Sequence, residues 1–162
     1  MNKKTMIISF DLDDTLICLD SEVPKEATRV PFIWRLFYKE PLRRGTVELM
    51  RRLTDQGWQI AIYTTSFRSV SSVKRFFKFY GVSLVKVVNQ PIHVREVIGN
   101  RKIPLPSKYP SKFGFKLHVD DQESFISDGA RFGFDVIVVN SDDLNWTQKV
   151  LAKAEQIKER DK

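Results

Sequence analysis

Cysteine and histidine are scarce: the 162 residues hold one of the first and two of the second. A lone Cys18 excludes an internal disulfide and suits a reducing compartment. It also lacks the neighbours that activate a thiol nucleophile. Without a His/Cys cluster there is no spacing for zinc or a softer metal. Long apolar runs are missing too. The stretch Met6–Phe10 behind the leading lysines is too short for a signal core or a membrane span, so a cytoplasmic protein without membrane contact is expected. No repeat and no linker divides the chain, which predicts one domain over residues 1–162.

What is present is core material and positive charge. Hydrophobic residues make up 42% and charged residues 29%, a globular composition rather than a disordered one. Lys and Arg number 27 against 20 acids, a net charge of +7. That balance favours anionic partners, whether phosphorylated small molecules, nucleic acid or acidic surfaces, without choosing among them.

Apolar runs alternate with helical stripes. Met6–Phe10, Trp58–Tyr63, Leu84–Val88, Leu117–Val119 and Val136–Val139 predict strands. Val47, Leu49, Met50 and Leu53 mark one helix, ended by Gly57, and Val70, Val73, Phe76, Phe77 and Tyr80 a second, ended by Gly81. Ser124–Phe132 predicts a third. A last one, capped by Ser141 or Asp142, turns Val150, Leu151, Ala154 and Ile157 inward, with its end KAEQIKERDK frayed and solvated. This alternation predicts an α/β fold with a parallel sheet covered on both faces. Residues 17–44 and 89–115, rich in proline, resist the scheme and read as a flap and a long loop.

The carboxylates organise the rest. In ISFDLDDTLI, Asp11, Asp13 and Asp14 follow the first strand directly, and the spacing of Asp11 and Asp13 can place both on one side of the chain. The second strand ends at Thr64-Thr65-Ser66 and the fourth at Asp120-Asp121. Strand carboxyl ends form the usual site of an open parallel sheet. Four converging carboxylates demand a cation, and oxygen-only ligands point to Mg²⁺. Such a metal, beside hydroxyl and lysine donors, is what phosphoryl transfer requires.

Asp11-Leu12-Asp13-Asp14-Thr15, the Thr64 strand end and the Asp120-Asp121 strand end resemble, in order, the motifs of the haloacid dehalogenase superfamily. The resemblance covers most of the chain. It implies a Rossmann-like three-layer sandwich with a five-stranded sheet of order 5-4-1-2-3. Carried over, Asp11 is the nucleophile that forms an aspartyl-phosphate. Asp13 protonates the leaving group, then activates water, and its backbone carbonyl touches Mg²⁺. Thr15 braces the loop and Thr64 donates to the phosphoryl group. Asp121 ligates the metal, with Asp120 acting directly or through water. An acid at Asp13 favours a phosphatase over a dehalogenase.

The family also implies a lysine bridging nucleophile and phosphate. Lys116 lies about 13 Å below Asp120 at ~3.3 Å per residue. Lys102, Lys108 and Lys112 lie in the preceding loop, with Lys108 favoured and Lys112 next. Thr65 and Arg68 are further candidate phosphate contacts.

Residues 17–44 and 89–115 are each too short for an independent cap fold, so the site is expected to be open or covered by the flap PFIWRLFYKEPLRR. Its aromatics are expected to pack inward while its charges stay wet. His118 is expected to be a hydrogen-bonded structural residue, and His93 shows no partner. The expected function is a Mg²⁺-dependent phosphomonoesterase acting on a small molecule, a phosphoprotein or a nucleic-acid end. A catalytically silent regulatory protein is the alternative outside the enzyme class. A receiver domain would need an Asp after the third strand, where LVKVVNQ has none.

Overall fold

Each predicted strand forms, and register places their ends. The computed structural model describes residues 6–99 and 105–161. The strands are β1 (Met6–Phe10), β2 (Trp58–Tyr63), β3 (Leu84–Val88), β4 (Leu117–Asp120) and β5 (Asp135–Val138). All pairings are parallel, in the order β3-β2-β1-β4-β5. Phe10 pairs with Ile62 on one side and Val119 on the other, so Asp11, Tyr63-Thr64 and Asp120 reach one edge of the sheet together.

Side-chain alternation sorts the two faces. Ile8, Phe10, Ile60, Ile62, Leu117 and Val119 face a large core shared with α1 (Thr46–Asp55), α2 (Val70–Phe79) and α5 (Trp146–Arg160). Ala61, Tyr63, Val88 and Phe115 form a smaller core on the opposite face, beneath Ile92 and Phe113. There Phe125 of α4 (Ser124–Phe132) meets the His118 ring edge-on.

Several expectations need correction. Residues 89–115 are not simply a loop. Asn89 accepts from the Ile92 amide and caps α3 (Gln90–His93), which runs on as a π-helical turn over Val94–Ile98, and a 3-10 turn follows at Pro110–Phe113. Pro91 thus sits in a first helical turn, where its missing N–H costs nothing. Nor is the C-terminal helix frayed. Ile157 is buried, and Lys153 and Arg160 pair with Asp135 while Lys116 pairs with Asp161. Helix α5 begins at Trp146, after Asn145, so neither Ser141 nor Asp142 caps it.

The flap is closed at its base by Glu26 N–H donating to the Leu42 carbonyl and Arg44 N–H to that of Pro24. Trp34 and Tyr38 pack against Phe79, and Tyr38 also stacks on Phe76 of α2. Phe32, Ile33, Leu36 and Phe37 do not pack inward: each is at least 70% exposed. At the flap's end Arg43 is buried and donates to the carbonyls of Thr15, Asn140, Ser141 and Asp143. Among the described residues no helix is long and apolar enough to cross a membrane.

Candidate active site

The acidic turn is built by the backbone. Leu16 and Ile17 N–H groups both donate to the Leu12 carbonyl, and Asp14 N–H donates to that of Ile17. Asp14 takes a left-handed conformation, φ 61°, which an Asp tolerates better than most residues. The turn buries Asp11 and exposes Asp13. Thr15 is fully buried; its carbonyl accepts from Cys18 and Arg43, and its hydroxyl has no partner among the described residues.

Lys108 fills the space between the β1 and β4 ends. Its ammonium lies 2.7 Å from Asp11 Oδ1 and 2.6 Å from Asp120 Oδ2, with its side chain 3% exposed. Asp120 also takes the Gln122 N–H and lies 3.0 Å from His118 Nε2. Burial pushes the His118 imidazole down, so it is neutral. Its single proton sits on Nε2, facing the carboxylate, and Nδ1 accepts from the Ser9 hydroxyl at 2.9 Å. The line Ser9–His118–Asp120–Lys108–Asp11 is therefore satisfied at every joint.

Burial pushes the Asp11 carboxyl up to about 6, against the pull of Lys108. Burial would also raise Asp120, but His118 and Lys108 together outweigh it and hold that carboxyl well below the usual range. Asp121 is raised by burial and by the charge on Asp120. One oxygen each from Asp11, Asp120 and Asp121 lie within 4.8 Å of one another. Three hard oxygen donors grouped this way could hold a divalent metal ion.

Thr64 is buried beside this group. Its hydroxyl oxygen accepts from the Ser66 N–H. Thr65 is exposed and lines a separate recess of about 450 Å³ with Phe67, Gln90 and Ser107. Lys112 is exposed in the 3-10 turn, on a recess with Lys86 and Ile92. Lys116 pairs with Asp161, away from the acids, and Lys102 falls outside the described residues.

Three of the four acids expected to converge do so; Asp13 does not. Its carboxylate is gripped through both oxygens by Arg68, each contact 2.8 Å. The same guanidinium binds Glu40 of the flap, at 2.7 Å through Nη2. Glu40 was not legible as a site residue, because its partner lies 28 positions away with no periodic signal between them. Nor was the partner of His93. The Tyr63 hydroxyl accepts from the Tyr109 N–H and lies 2.6 Å from His93 Nδ1. Burial raises the phenol to a strongly protonated state and lowers the imidazole, so the hydroxyl donates to Nδ1. This contact ties α3 to the residue following Lys108.

No family model matches the sequence, and no curated protein matches it. Solved structures do resemble it. The haloacid dehalogenase (HAD) domain of effector protein Lem4 from Legionella pneumophila is 14% identical, with TM-score 0.51 over 91% of this chain and 93% of that one. D,D-heptose 1,7-bisphosphate phosphatase from B. bronchiseptica, solved with magnesium and phosphate, is 12% identical, with TM-score 0.52 over 96% and 99%. A chain of the Pnkp1/Rnl/Hen1 complex is 14% identical at TM-score 0.52; 88% of the present chain matches it but spans only 49% of its length. Likeness at this identity establishes the fold, which is that of haloacid dehalogenase-type domains, phosphatases among them.

Proposed function

We propose that this chain is a Mg²⁺-dependent phosphomonoester hydrolase that works through an aspartyl-phosphate on Asp11. The observation that carries the reading is the buried contact of Lys108 with Asp11 and Asp120, beside the Asp11, Asp120 and Asp121 oxygens grouped within 4.8 Å. Asp11 and Asp121, the Asp13 backbone carbonyl, and Asp120 directly or through water would hold the ion. When bound, Mg²⁺ offsets charge on the phosphoryl oxygens.

The residues divide the work. An Asp11 oxygen attacks phosphorus, the bond to the ester oxygen breaks, and its electron pair stays with that oxygen. Asp13, protonated at the start of the cycle, supplies the proton. Asp13, then ionised, takes a proton from the water whose oxygen attacks the same phosphorus, and the Asp11–phosphorus bond breaks to release phosphate. Lys108 bridges Asp11 and a phosphoryl oxygen, and the Thr64 hydroxyl donates to another. The substrate is a phosphorylated small molecule, phosphoprotein or nucleic-acid end. The lone thiol suits a cytoplasmic setting.

Hydrolysis of p-nitrophenyl phosphate, with and without Mg²⁺, tests the reading. Release by the wild type is expected only with Mg²⁺, and Asp11→Asn is expected to abolish it while the chain still unfolds cooperatively. Full activity in Asp11→Asn would remove Asp11 as nucleophile.

A further inference from the structure

Asp13 presents a geometric difficulty. A general acid must reach the leaving oxygen at roughly 2.6–3.2 Å. Yet the Asp13 side chain is 49% exposed, and burial does not choose its rotamer. A carboxylate on a solvent-facing turn samples several staggered positions, and each wrong one is a lost proton transfer.

Arg68 removes that freedom. Its Nη1 donates to Asp13 Oδ2 and its Nη2 to Oδ1, a two-pronged contact that a planar guanidinium makes and an ammonium cannot. Arg68 is itself fixed on two sides. Asn89 Nδ2 donates to its backbone carbonyl at 3.0 Å, and Glu40 accepts from Nη2 and Nε. Glu40 stands two residues beyond Tyr38, whose ring stacks on Phe76 at 6.0 Å. The position of the flap on α2 is thus passed through Glu40 and Arg68 to the Asp13 carboxylate.

We propose that Arg68 and Glu40 are positioning residues for Asp13, so that the seated flap aims the acid at the leaving oxygen. This rests on the reading of Asp13 as the acid. Arg68 then acts through Asp13, and its guanidinium is already shared between two carboxylates.

The test is a leaving-group series: p-nitrophenyl phosphate, phenyl phosphate and an alkyl phosphate such as glycerol 2-phosphate, each with Mg²⁺. Nitrophenolate departs without a proton, whereas an alkoxide needs one. Arg68→Met, Arg68→Lys and Glu40→Gln should each lower kcat for the alkyl ester more than for the nitrophenyl ester. The gap should be about tenfold for the Arg68 variants and smaller for Glu40→Gln, part of the roughly 10²–10⁴ that an acid supplies. Equal loss on all three esters, or a rise in KM common to all, would overturn the proposal in favour of a structural or phosphate-binding Arg68. Asp13→Asn separates the two layers. If it too shows no leaving-group dependence, the assignment of the acid fails; if it shows a steep dependence and the Arg68 and Glu40 variants do not, only the positioning role fails.

Discussion

The two ends of the acidic turn are held in opposite ways. Asp11 sits on a buried line in which Lys108, Asp120, His118 and Ser9 satisfy one another. Asp13, two residues on, stands at the surface in the grip of one arginine. Buried charge is costly unless every partner is present, so the first arrangement is inseparable from folding. An exposed ion pair adds little to stability, so the second can set geometry while leaving the fold almost untouched.

Removing a cation from each end should expose that contrast. Lys108→Met leaves two carboxylates buried without their counter-charge and should cost about 3–5 kcal/mol in metal-free urea unfolding. Arg68→Met, in the same measurement, should change stability by less than about 1 kcal/mol. Equal losses would erase the distinction drawn here.

Tyr63→Phe sharpens it from the buried side. The change strips a hydroxyl from the part-buried Tyr109 N–H and from the buried His93 Nδ1. A loss of about 1–3 kcal/mol is expected. Because Tyr109 adjoins Lys108, turnover should fall as well, which unfolding and p-nitrophenyl phosphate assays together would detect.

A subtler difference appears with pH. Asp11 binds its proton more tightly folded, up to about 6, than unfolded, near 3.8. In metal-free protein it therefore favours the folded chain increasingly as pH falls from 6 to 4. The lowered His118 and His93 act in the opposite sense, since the unfolded chain takes up their protons first. Asp11→Asn should accordingly lose stability more steeply than the wild type across that interval, read from unfolding midpoints in EDTA.

How much could be foreseen follows the same division. Strand positions and their polar ends are local signals, short apolar runs followed by a break, so the meeting of Asp11, Asp120 and Asp121 at one sheet edge was legible, whereas the sheet order came from the resemblance alone. That a lysine bridges the site came from the resemblance; distance set Lys116 aside but did not separate Lys108 from Lys102 and Lys112, and only the fold brings Lys108 to Asp11 and Asp120. The Asp13–Arg68–Glu40 clasp and the Tyr63–His93 contact join residues 28 to 55 positions apart across separate elements, where no periodicity records a pairing. Pro91 misled because proline both interrupts chains and opens helices, and only the Asn89 cap decides which.

The flap has an optical consequence. Trp34 lies beneath the Arg75 guanidinium at 4.7 Å and against Tyr38 and Phe79. Trp58 is enclosed in the core, and Trp146 lies under Arg43 on the far side of the turn. Lifting residues 32–40 from α2 would carry the first indole toward water, while Trp146 stays with the base of the flap at Arg43 and Arg44. With Trp58 and Trp146 replaced by Phe, the red shift of Trp34 emission would report how often this segment leaves α2.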